Sequence, residues 1–186
     1  LIVNTRGSYN VAVGYGSLDS NISGDGNIAV GQYSLGGNTT GTLNVAVGYS
    51  ALGANTRGSW NTAVGTNALL SNTIARFNTA VGNSSLANNS TGEENTSMGY
   101  NSLFTNTTGY GNTVLGTNAM FTNATGSENT ATGWSAMYSN TRGTANTAHG
   151  YRALYSNTTG INNTAMGLNA MYSNSTGEYN VAVGIH

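Results

Sequence analysis

The chain has 186 residues, with 27 Gly, no Pro, Cys or Lys, and only 6% charged side chains, a balance unlike that of an ordinary enzyme. A net charge of -1 leaves no clustered Lys or Arg for phosphate binding, so nucleic acid is excluded as a partner. No apolar run approaches the ~20 residues that span a bilayer, and Leu1-Ile2-Val3 is too short for a signal core, so no membrane insertion is expected of this stretch.

Without cysteine, stability cannot come from disulfides. The alternative is stacking, because the chain repeats. Asn recurs every 17 residues from Asn10 to Asn180, and Gly follows four residues later from Gly14 to Gly184, in 11 of 11 copies. A fixed period of this length is the signature of a solenoid. Ten full copies occupy residues 10–179, between partial copies at 1–9 and 180–186. Both ends fall inside a repeat, which reads as a single-domain window on a longer array. Positions are numbered below from 1, the recurring Asn, to 17.

Positions 2 to 4 read Val/Ile/Thr, then Ala, then mostly Val, as in Val11-Ala12-Val13 and Thr62-Ala63-Val64, and predict a short strand ended by Gly at position 5. Positions 8 to 10 predict a second segment: Ser or Ala, then always Leu or Met (Leu18 through Met171), then a variable residue. Asn at position 12 and Gly at position 15, replaced once by Ala75, read as turn residues that tolerate left-handed backbone angles. Asn112, Gly116, Asn123 and Gly126 are representative corners. A helix is excluded by the Gly, Asn, Thr and Ser between the anchors. The expected fold is all-β, a parallel β-solenoid or β-roll with 17 residues per coil. Its rise of ~4.8 Å per coil gives a rod roughly 50 Å long.

Nine of the 11 charged residues fall at positions 14 to 17, so that corner should face water; Asp19 at position 10 and Arg152 at position 7 stand apart. Strand alternation suggests positions 2, 4 and 9 inside and positions 3 and 8 on outer faces, where position 3, Ala in nine of 11 copies with Ser97 and Val114 otherwise, would pack against another copy of the chain. The opposite assignment, with Ala inside opposite Leu and position 4 outside, is sterically allowed in so thin a coil. Either way an apolar ladder is left needing cover, which points to an oligomer.

The motif Asn-Thr-Ala-Val-Gly at 61–65 and 78–82, with its variants at Asn10, Asn27 and Asn163, resembles the core of trimeric autotransporter adhesin heads. The longer pattern, as in Asn146 to Gly160, is similar to arrays in phage tail fibres and bacterial surface proteins that end in an endosialidase-type chaperone. The resemblance covers the whole chain and implies a left-handed homotrimeric roll, located on a virion fibre or a bacterial cell surface. Head repeats usually run near 14 residues, so the longer period here implies a different coil shape.

No catalytic constellation emerges, with no Cys and only two His, and a serine triad lacks a base held beside it. His149 at position 4 reads as a hydrogen-bonded interior residue. Three copies converging on an ion would need a second ligand, so no metal or cofactor is assigned. Aromatics are more informative. Position 10 holds Phe104, Phe121, Tyr138, Tyr155 and Tyr172 in five consecutive coils, and position 6 contributes Trp134 and Tyr151. Earlier copies carry Asp19 and Gly36 at position 10, which argues against a core site there. These rings are candidate glycan contacts or, more simply, a packing ladder. Sequons such as Asn38-Thr39-Thr40 and Asn157-Thr158-Thr159 recur because the corner uses Asn and Thr, so turn chemistry outranks glycosylation.

The expected function is the shaft or head segment of an extracellular fibre that projects and spaces a receptor-binding part, with other copies of itself as partners. An alternative is an adhesin surface that binds a cell-surface glycan or host receptor through the aromatic ladders. A weaker one is ice binding through the Thr column at position 2, Thr62 to Thr164, although that column also contains Val and Ile and repeats no Thr-x-Thr pair.

Overall fold

The computed structural model describes residues 3–186; Leu1 and Ile2 of the first partial coil lie outside the described residues. Eleven three-residue strands run from β1 (Val11–Val13) to β11 (Val181–Val183), each at positions 2 to 4 of its repeat. They form one sheet in chain order, every neighbour parallel. Register is position on position: Val11 faces Ile28, Thr113 faces Thr130 and Met166 faces Val183. The N–H of Thr113 donates to the Asn129 carbonyl at 2.8 Å, and the N–H of Gly133 donates to the Leu115 carbonyl at 2.8 Å. There is no helix among the described residues, and the expected β-solenoid is the observed fold.

The second segment is not a strand. Positions 6 to 11 form a run of turns, as in Ser102 N–H donating to the Gly99 carbonyl at 3.4 Å. The coils remain joined there, because the Leu103 N–H donates to the Ala119 carbonyl of the next coil at 3.0 Å.

The faces are the reverse of the first assignment. Position 3 is buried in the stack (Ala29, Ala63, Val114, Ala148), together with position 8 (Ala51, Ala119) and the Leu or Met at position 9. Positions 2 and 4 point outward: Val13 is 56% exposed and Leu115 40%. A coil closed by seventeen residues leaves room for only one large side chain per layer. Leu or Met takes that space, so its strand-side neighbour stays small, Ala in nine of the eleven strands, with Ser97 and Val114 in the other two. The uniformity of position 3 is therefore an interior packing constraint and not a contact between copies.

The left-handed angles also fall elsewhere than expected. Gly at position 5 is in that region, with φ from 125° to 141°, but Asn at position 12 and Gly at position 15 are not. Positions 7, 9 and 17 are, including Leu103 at φ 52° and Met120 at φ 48°. A left-handed Leu costs about 1–2 kcal/mol, and fully burying it returns about 1.5–3 kcal/mol. The corner is thus held by the core it encloses.

The asparagines form two buried ladders instead of turns. Asn112 Nδ2 donates to the Asn95 side-chain oxygen at 3.0 Å and to the Gly126 carbonyl at 2.9 Å. Asn123 Nδ2 donates to the same Gly126 carbonyl at 3.0 Å and to Asn106 Oδ1 at 2.7 Å. One carbonyl at position 15 therefore ties both ladders together in every coil. This crowding explains the glycine: a Cβ on Gly126 would press on Asn123 Oδ1 and lie 2.5 Å from the Gly143 carbonyl oxygen. At the one exception, Ala75, one rung is longer: Asn78 Nδ2 to Asn61 Oδ1 is 3.4 Å, against 3.1 Å for Asn61 to Asn44 and 3.2 Å for Asn95 to Asn78.

Candidate functional site

The interior is filled by Ala, Leu, Met, Ser and paired Asn, its buried hydroxyls Ser85, Ser97 and Ser102 bonded to one another, so the groups open to a partner lie on the surface. Four surfaces follow from the coil. The nine charged side chains at positions 14, 16 and 17, from Arg6 to Glu178, are exposed, as expected, while position 15 between them is buried. The outer sheet face at positions 2 and 4 carries no Asp, Glu, Lys or Arg in any of the eleven strands. The aromatic columns at positions 6 and 10 lie on the turn run.

His149 lies on the outer sheet face and is exposed, so the interior reading is corrected: it sits at position 4, and position 4 points to solvent. Among the described residues no group of three His, Cys, Asp or Glu is placed to hold a metal ion. The Thr column at position 2 shares that outer face, beside Val, Met and Leu at position 4, and pairs with a second Thr only at Thr130 and Thr132.

At position 10 the rings of Phe104, Phe121, Tyr138, Tyr155 and Tyr172 stack in sequence. Their centroids are 5.0 to 5.3 Å apart and their planes within 5° to 9° of parallel. Such rings cover one another's faces and are half-buried. The column is thus a continuous stack of rings, each pair worth about 0.5–1.5 kcal/mol beyond burial. Position 10 is accordingly neither core nor open surface.

Trp134 and Tyr151 at position 6 also stack, at 5.1 Å and 10°, but remain 41% and 43% exposed. Between this pair and the position 10 column lies Arg152. Its Cζ is 5.0 Å from the Trp134 ring centroid, 5.2 Å from Tyr151 and 5.5 Å from Tyr155. Sequence reasoning placed both columns but gave Arg152 no role. The available signal was its departure from the charged corner.

The sequons Asn38-Thr39-Thr40 and Asn157-Thr158-Thr159 begin at buried Asn whose amides already donate within the ladder. The corner residues Asn112, Asn123 and Gly126 hold the rod together, as does Gly116 at φ 141°. No helix among the described residues is long and apolar enough to cross a membrane. Comparison with known proteins finds no matching family model, no similar curated protein and no similar solved structure.

Proposed function

We propose that the chain is a shaft segment of an extracellular fibre, on a virion or a bacterial surface, built from three parallel copies coiled left-handed. The carrying observation is the outer sheet face. It runs through eleven strands, with Val, Met or Leu at position 4 in nine of them, Thr at position 2 in seven, and no Asp, Glu, Lys or Arg. A strip of this length on a soluble rod calls for cover. Its side chains repeat at the strand spacing of ~4.8 Å, and another copy of the same rod supplies the same spacing in register. The resemblance of the Asn-Thr-Ala-Val-Gly coils to trimeric adhesin heads supports the number three and the hand. The work of such a segment is mechanical: each coil is stabilised by its neighbours, and the stack projects whatever the fibre carries at its tip.

Light scattering coupled to size exclusion tests this directly. A particle three times the 19.0 kDa chain mass is expected, and Val64→Lys with Met98→Lys on the outer face should reduce it to the monomer. A wild-type monomer would remove the fibre reading.

A second reading, a glycan-binding adhesin surface, is favoured by Trp134 and Tyr151, whose exposed rings adjoin a cation. Binding on a glycan array, lost with Trp134→Ala, would support it, and a blank array would oppose it.

A further inference from the structure

The strip formed by positions 2 and 4 of the eleven strands contains no Asp, Glu, Lys or Arg, and His149 is its one titratable side chain. His149 ends β9 (Thr147–His149), is exposed, and has no hydrogen-bond partner among the described residues. Its register neighbours are Thr132 in β8 (Thr130–Thr132) and Met166 in β10 (Thr164–Met166), and neither can carry a compensating charge.

The surroundings of these three strands supply none either. Asn and Gly at positions 1 and 5 bound each of them. Ahead of β8, Glu128 belongs to the exposed corner, where it accepts from the Tyr110 hydroxyl at 3.5 Å. After β9, Arg152 turns to the rings of Trp134, Tyr151 and Tyr155, and as a cation it would repel an imidazolium rather than neutralise it. In an assembly of parallel copies in register, the strip is covered by the same strip, so the only ionisable group arriving from the other copies is again His149.

A neutral imidazole can be enclosed there beside Thr132 and Met166. An imidazolium cannot be enclosed without loss. It would give up water with no carboxylate to receive it, and it would meet the same charge on the other copies at the same level of the rod.

We propose that His149 is a proton-sensitive lock in the contact between copies, closed while the imidazole is neutral and opened by acid. The inference rests on the reading of the outer sheet face as that contact. Its sign follows from linkage: a separated copy takes up a proton at this position more readily than an assembled one. Assembly is therefore at full strength above the range in which histidine titrates and weakens as pH falls through it.

Light scattering of the 186-residue chain over a dilution series at pH 8 and at pH 5, on either side of that range, tests the lock. The trimer should hold at pH 8, and the concentration at which it half-dissociates should rise at least about tenfold at pH 5. Far-ultraviolet circular dichroism should be the same at both, which establishes that the coils stay folded. His149→Gln should remove the pH dependence, whereas His186→Gln, at position 7 and outside the strip, should leave it as in the wild type. A trimer equally tight at both pH values would overturn the lock and leave the fibre reading standing. Dissociation at pH 5 that persists in His149→Gln, or unfolding of the coils at that pH, would overturn it too. A wild-type monomer at pH 8 would remove the fibre reading and the lock with it.

Discussion

The side-chain oxygen of Asn112 accepts two hydrogen bonds from Asn129 in the next coil, one from its backbone N–H at 3.0 Å and one from its side-chain amide at 3.1 Å. Asn112 in turn donates back to Asn95 and across to Gly126. A single buried side chain thus satisfies backbone and side chain in two directions, and the pattern repeats along the rod. Ala has no group to do this, and Asp lacks the donors. Asn112→Ala should therefore cost at least about 2 kcal/mol by orphaning the Asn129 N–H. Thermal melting should show a clear drop for this variant, and little change for Asn83→Ala at an exposed position of the turn run.

Gly116 should not accept a side chain. Its φ of 141° lies where only Gly is comfortable, and a Cβ would meet the Gly133 carbonyl group, 2.7 Å from its carbon. Gly116→Val should break the stack at that coil, with a lower melting temperature and loss of amide-exchange protection spreading to neighbouring coils. Unchanged melting would mean that the corner adopts ordinary angles.

The aromatic strip should act as a chain of pairwise contacts. Tyr138 stacks on both Phe121 and Tyr155, whereas Phe104 has an aromatic neighbour on one side only. At ~0.5–1.5 kcal/mol per pair beyond burial, Tyr138→Ala should cost about twice the stacking contribution lost in Phe104→Ala. A double-mutant cycle on Tyr138 and Tyr155 should give a coupling of at least about 0.5 kcal/mol. Additive effects would make the column coincidental.

The Thr column should not bind ice. Although position 2 faces outward, its neighbour at position 4 is Val, Met or Leu in nine strands, so no flat two-column Thr array forms. Thermal hysteresis of the purified chain should be absent, and measurable activity would reopen that reading.

The period, the parallel register, the charged corner and the inward Leu at position 9 were all legible in the sequence, because identical residues stacked every 17 positions leave few other arrangements. The faces of the strand were not. In Val-Ala-Val each residue is apolar and the segment is only three residues long, so alternation alone permits either side to be the interior. What decided it was the cross-section of the closed coil, where Leu or Met fills most of the width and leaves a small space that Ala takes in nine of eleven strands. The role of Asn and Gly was misleading for a related reason. Both residues are typical of left-handed corners, yet here Asn is needed for its amide and Gly 126 for the absence of a Cβ, while Leu103 takes the strained angle that its burial offsets. The contacts of Arg152 belong to the same class of fact. Its ring partners Trp134, Tyr151 and Tyr155 lie at positions 6 and 10 in two coils, and only the packing of turn against turn brings them around it.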